Sequence, residues 1–183
     1  MQKIGQPKRK KLHTRKIEIS TYEYDEQKII VEGFLKDERF RNSHLITGEK
    51  FPIGVIHHMQ IRLLINLSSF VIEDVDVDMP GVPREVCRET RGSLAPIKGL
   101  TISPGFRAKV KKMAGGIKGC THLVELLSAM APAFFQGYAA YLSQKPSWFD
   151  KNHIKIVGKF LVNTCHAWRE DGPFMEMFKK HSI

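Results

Sequence analysis

"VIHHMQIRLLINL", Val55 to Leu67, is the stretch whose reading decides the fold. Val55, His57, Met59, Ile61, Leu63 and Ile65 alternate with His58, Gln60, Arg62 and Asn66 and, apart from His57, are apolar. Period two is the mark of a half-buried β-strand, so the first set, His57 included, is expected to face the core and His58 to face water. After the turn "SSF", "VIEDVDVDM" (Val71 to Met79) repeats the pattern, with Val71, Val75, Val77 and Met79 inward and Asp74, Asp76 and Asp78 outward. The three aspartates do not form a calcium loop, because successive outward residues of a strand cannot wrap an ion and Met79 stands where an EF-hand needs its sixth-position glycine.

Working outward, "KIEISTYEY" (Lys16 to Tyr24) and "KIIVEGFLK" (Lys28 to Lys36) flank the polar "DEQ" and read as a hairpin. Asp37 to Pro52 has no sustained period and reads as a connecting loop. Beyond Met79 the pattern turns helical. "PGVP" ends the strand, and "REVCRETRGSLAPIKG" suggests a short helix carrying Cys87. "SPGFRAKVKKMAGG" has a Ser-Pro start and a Gly-Gly stop. The stretch after "AGGIKGC" places Leu123, Leu126, Leu127, Met130, Phe134, Tyr138 and Tyr141 at steps of three and four, the stripe of an amphipathic helix in which Pro132 is expected to cause a kink. After "KPSW", a last helix is expected from His153 to Trp168, with Ile154, Val157, Leu161, Cys165 and Trp168 on one stripe.

Strands first and helices afterwards predict an α+β fold: an antiparallel sheet of about four strands in the N-terminal half, covered on one face by C-terminal helices. At 183 residues one core suffices. The expected division is a flexible basic arm, residues 1–12, followed by a single domain, residues 13–183.

The net charge of +10 invites a nucleic-acid reading. However, Lys3, Lys8, Arg9, Lys10, Lys11, Arg15 and Lys16, with no acid among them, supply seven of those ten charges. The arm can touch phosphates or acidic surfaces without specificity, and nucleic-acid binding beyond such contacts is not expected. No apolar run reaches membrane-spanning length and no secretory signal opens the chain, so a cytoplasmic protein without membrane attachment is expected. Cys87, Cys120 and Cys165 are odd in number and widely spaced, which favours reduced thiols. GxSxG, P-loop, HExxH and GxGxxG patterns are absent.

Cys120 and His122 stand one residue apart at the start of the main helix. The free backbone N–H groups and the dipole there favour an anion, which suits a nucleophilic or metal-ligating thiolate. A small hydrophobe packing beside Leu123 and Leu127 explains Cys120 equally well. At a helix start the two side chains can reach one ion. His57 on an apolar strand face needs a partner, either a hydrogen bond within the core or a metal. Cys87 could reach the same space, and Glu125 could orient His122 or simply face solvent. Cys165 is expected to be buried packing, with His166 turned away from it.

"IHHM", Cys87 after a proline-containing turn, "GCTHLVELL" and "NTCHAW" resemble a bacterial family catalogued as a domain of unknown function, over roughly residues 12–172. More distantly, "MQIRLLINLSSFVIEDVDVDM" and "IKGCTHLVELLSAMAPAF" resemble the iron–sulfur scaffold fold of the NifU/IscU and SufE type. That resemblance implies that Cys120 matches the ligand cysteine opening the last helix, and that His57 falls near the first ligand cluster. Gly81 and Val82 stand where a second cysteine belongs. The geometry so implied brings His57, Cys87, Cys120 and His122 together where a sheet end meets two helix starts.

Three functions follow from these residues. One is a site on Cys120 with His57, Cys87 and His122, binding zinc or iron through soft sulfur and nitrogen donors. Another is an enzyme with Cys120 as nucleophile and His57 or His122 as base. The alternative is a non-catalytic binding or accessory module, in which these residues are core and the arm and sheet surface contact a protein partner.

Overall fold

The computed structural model describes residues 10–144, 158 and 160–181. Strands β1 (His13–Asp25) and β2 (Lys28–Arg39) form a long hairpin, closed where the Gln27 N–H donates to Asp25 Oδ1 at 2.8 Å. A two-stranded hairpin, β3 (Ser43–His44) and β4 (Lys50–Phe51), leads into β5 (Gly54–Asn66) and β6 (Ile72–Gly81). The main sheet is antiparallel throughout, in the order β1-β2-β5-β6. A 3-10 helix (Glu85–Ile97), α1 (Phe106–Ala114), a 3-10 turn (Gly116–Lys118), α2 (Thr121–Leu142) and α3 (Pro173–His181) follow. The expected α+β architecture is therefore present.

The core lies between the sheet and α2. Ile29, Val31, Leu35, Met59, Ile61, Leu63 and Ile65 are buried on the sheet, and Leu123, Leu126, Leu127, Met130 and Phe134 are buried on the helix. Each such side chain contributes roughly 1.5–3 kcal/mol on burial, whereas a good N-cap adds about 1 kcal/mol, so packing rather than capping fixes α2. Gly33 lets the helix come close: a Cβ there would lie 2.7 Å from Met130 Sδ and 3.1 Å from Leu126 Cδ1.

Several elements depart from the periodicity. Asp37 does not begin a loop: β2 runs on to Arg39, and the segment to Pro52 contains the β3–β4 hairpin. Asp37 pairs with His57 and Glu38 with Val55, so Ile56 is an extra residue in β5. This bulge breaks the alternation and leaves Val55 49% exposed rather than inward. A register shift at the β5–β6 turn likewise buries Ile72 in place of Val71. The segment with Cys87 is a 3-10 helix.

Most of the expected last helix, its start at His153 included, lies outside the described residues. From Val162 to Trp168 the chain forms turns and bends, so the helix does not reach Trp168. Cys165 is exposed there rather than packed, and Pro173 opens α3, which the pattern does not announce. Residues 1–9 of the basic arm also lie outside the described residues; at its end the Leu12 carbonyl accepts from Phe40 N–H at 3.0 Å. Among the described residues no helix is long and apolar enough to cross a membrane.

Candidate metal centre

Register sets the first layer of the site. Arg15 on β1 pairs with Asp37 on β2, and Asp37 pairs with His57 on β5, so the three form one row across the sheet. Asp37 is 2% exposed, the one buried charged residue among those described. Two bulges flank the row, at Ile56 in β5 and between Asp78 and Gly81 in β6. Such irregularities re-aim side chains at strand ends.

The guanidinium of Arg15 grips both carboxylate oxygens, Nε to Oδ1 at 2.7 Å and Nη2 to Oδ2 at 2.8 Å. Its remaining Nη1 donates to Glu125 on α2. Burial opposes the charge on Asp37, but the Arg15 hydrogen bonds and charge, helped by His57, outweigh it and hold the carboxyl at about 2, below its ordinary 3.8. An ionised carboxylate only accepts, so the 2.9 Å contact with His57 Nδ1 is an N–H donated by the imidazole. The lone pair of His57 is therefore on Nε2. His13 adds a third imidazole, its Nε2 3.3 Å from Asp37 Oδ1.

The first turn of α2 supplies the second layer. The His122 ring lies 3.8 Å from that of His57, centroid to centroid. Its Nε2 is 3.7 Å from Asp37 Oδ2 and its Nδ1 is 3.7 Å from Cys120 Sγ, so this imidazole bridges thiol and carboxylate. Cys120 is the N-cap residue and makes no side-chain capping bond. Serine, threonine or aspartate would cap better by about 1 kcal/mol, so capping does not account for a cysteine here. Burial pushes both His57 and His122 below the usual histidine range, and for His122 the proximity of His57 and Arg15 adds to it. Near neutral pH both rings are thus uncharged, the form that ligates metals.

One ligand atom each from Asp37, His57 and His122 lie within 4.8 Å of one another, a set able to hold a metal ion. His122 thus neighbours both His57 and Cys120, but the Cys120 sulfur is outside the grouped ligand atoms. The sequence pattern singles out neither Asp37 nor Arg15: it puts the first in a loop and the second with the charges of the basic arm. A signal for Asp37 existed: Ile29, Val31, Gly33 and Leu35 step by two towards it. Glu125 does not orient His122 by a hydrogen bond; it pairs with Arg15. Cys87, part-buried against the core, is outside the grouped ligand atoms. Cys165 and His166 lie elsewhere, His166 Nε2 being 3.2 Å from Arg169 Nη1.

A family model described as protein of unknown function (DUF2889) matches residues 13–136. The chain belongs to this family. The matched span encloses Arg15, Asp37, His57, Cys120 and His122 and stops short of Cys165 and His166. No curated protein and no solved structure matches the chain.

Proposed function

We propose that this protein binds a single transition-metal ion, zinc or iron, through His57, His122, Asp37 and the thiolate of Cys120. The observation that carries this reading is the close grouping of Asp37, His57 and His122, with Cys120 Sγ 3.7 Å from His122. Two imidazoles, one carboxylate and one thiolate form a donor set that suits both metals. Ligand atoms round a tetrahedral zinc stand about 3.3 Å apart, as follows from bonds of about 2.0–2.1 Å, so the atoms of Asp37, His57 and His122, which lie within 4.8 Å of one another, would draw in on binding and Cys120 would turn towards them. Ligation through His57 Nδ1 would move the imidazole proton to Nε2 and leave the ring neutral, so the proton released on uptake would be that of the Cys120 thiol. Arg15 then serves as the partner that keeps Asp37 charged and in place.

An iron–sulfur cluster fits less well, since such clusters rest on about four cysteine thiolates and one cysteine stands beside this group. The NifU/IscU and SufE likeness is retained for the scaffold alone, supported by an antiparallel sheet under a helix that opens on Cys120. The reading takes residues 13–183 as one domain behind the arm and keeps Cys87 as an outer candidate ligand. Protein purified anaerobically is expected to carry close to one zinc or iron per chain, lost in His57→Ala, His122→Ala and Cys120→Ser. Cys87→Ser decides the role of that thiol. Metal-free wild type that also takes up no added zinc overturns the metal reading and leaves the accessory module.

The Cys120–His122–Asp37 chain also favours a second reading, in which His122 takes the thiol proton and Cys120 attacks an electrophile. Under that reading, iodoacetamide reacts with Cys120 in metal-free protein much more slowly after His122→Ala. Equal rates would remove it.

A further inference from the structure

Arg39 is two residues beyond Asp37 on β2, the spacing that returns a strand side chain to the same face, and is paired in register with His13 and Gly54. Its guanidinium sits over the Phe51 ring, 5.2 Å from the centroid. That contact is to the ring's π face and occupies no N–H donor as a hydrogen bond would. Arg39 Nη1 is buried and has no hydrogen-bond partner. Asp37 and Glu125 are engaged by Arg15, and Glu49 by Arg84, whose own guanidinium is 5.9 Å from the Phe51 centroid. At Gly54, the register partner of Arg39, a Cβ would meet nothing within 4 Å, so that backbone position faces open space.

A buried guanidinium N–H without an acceptor, at the sheet end that carries His57, lacks an anion. We propose that this sheet end binds the carboxylate or phosphate group of a small molecule, with Arg39 as its anchor and the Asp37–His57–His122 cluster beside it. The inference names the ligand class of the site described above and rests on the reading that this sheet end is functional; it does not require that the metal be present. Arg39 makes the charged hydrogen bonds, Phe51 packs against the guanidinium, and Arg15, committed to Asp37 and Glu125, stays out of the contact.

The test is calorimetric titration of the full chain, metal-free and zinc-loaded, with inorganic phosphate and with succinate. The two anions separate a phosphate from a carboxylate site. Wild type is expected to bind at least one of them, and Arg39→Met to bind it at least tenfold more weakly. In wild-type protein the bound anion is also expected to slow phenylglyoxal modification of Arg39 at least fivefold, a readout that does not depend on the variant folding. Binding of neither anion, equal binding by Arg39→Met, or unchanged modification of Arg39 overturns the proposal. Metal content is measured on the same samples: anion binding without metal uptake sinks only the metal reading, and metal uptake without anion binding sinks only this one.

Discussion

His57 and His122 lie with ring centroids 3.8 Å apart, one from strand β5 and the other from the first turn of α2. Two imidazolium ions could not share that separation in a half-buried site without strong repulsion, so the pair is neutral or singly charged. For metal binding this predicts a shared effect. His57→Ala and His122→Ala should each lower zinc affinity more than tenfold, and the double variant should lose much less than the two single losses added together. Competition with a chelator of known affinity measures this; additive losses would show that the rings do not act on one ion.

Asp37 is the structural hinge of the cluster. Asp37→Asn leaves Arg15 facing a neutral amide and should destabilise the fold by about 3 kcal/mol, the low end for a broken buried pair because Arg15 keeps Glu125. Replacing both partners together, Arg15→Met with Asp37→Leu, should cost less than Asp37→Asn alone, since no charge is then stranded. Urea unfolding midpoints at constant slope give the comparison. A cost below about 0.5 kcal/mol for Asp37→Asn would mean that water already satisfies Arg15.

Stability should depend on pH in two windows. His57 and His122 are held below their ordinary 6.5, so in metal-free protein the unfolded chain takes up protons first as the pH falls. Their contribution is complete above about 6.5 and declines below it. Asp37 adds a second loss, present in full above 3.8 and removed as the pH falls towards about 2. Midpoints measured from pH 8 to 5 should be level at first and then drop, with a shallower drop in His122→Gln. A midpoint that stays level down to pH 5 contradicts the neutral pair.

Gly33 sits under α2 where a methyl would press on Met130 and Leu126. In an ordinary strand alanine is the better residue, by roughly 0.5–1 kcal/mol. Here Gly33→Ala should instead destabilise, by about 1–3 kcal/mol, the usual cost of overpacking. Because lifting α2 moves His122 away from His57, zinc affinity should fall as well. Unaltered stability and affinity would show that the helix yields elsewhere.

How much of this was legible varies by residue. Met59, Ile61, Leu63 and Ile65 announce their strand because period two survives wherever one face is buried, and Leu123, Leu126, Leu127 and Met130 announce α2 for the corresponding reason. His57 was legible as a polar residue on the apolar face of its strand, and His122 by its spacing from Cys120 at the helix start. Asp37 and Arg15 were not, since a charge at a strand end looks like a loop and a charge near a basic terminus looks like part of it. Only cross-strand register brings the two together, and register is set by pairing across the sheet rather than by local pattern. The bulge at Ile56 is equally silent, and it alone exposes Val55.

The contact between Arg15 and Glu125 spans 110 positions of the chain and ties the first strand to the main helix. None of β1, β2, β5 or α2 contains the cluster by itself, so a partly folded chain offers an ion only scattered ligands. On the metal reading, uptake would thereby be reserved for molecules in which the sheet is complete and the helix is seated. An ion bound there would behave as a bolt, slowing the unfolding of finished molecules while doing nothing to speed their assembly.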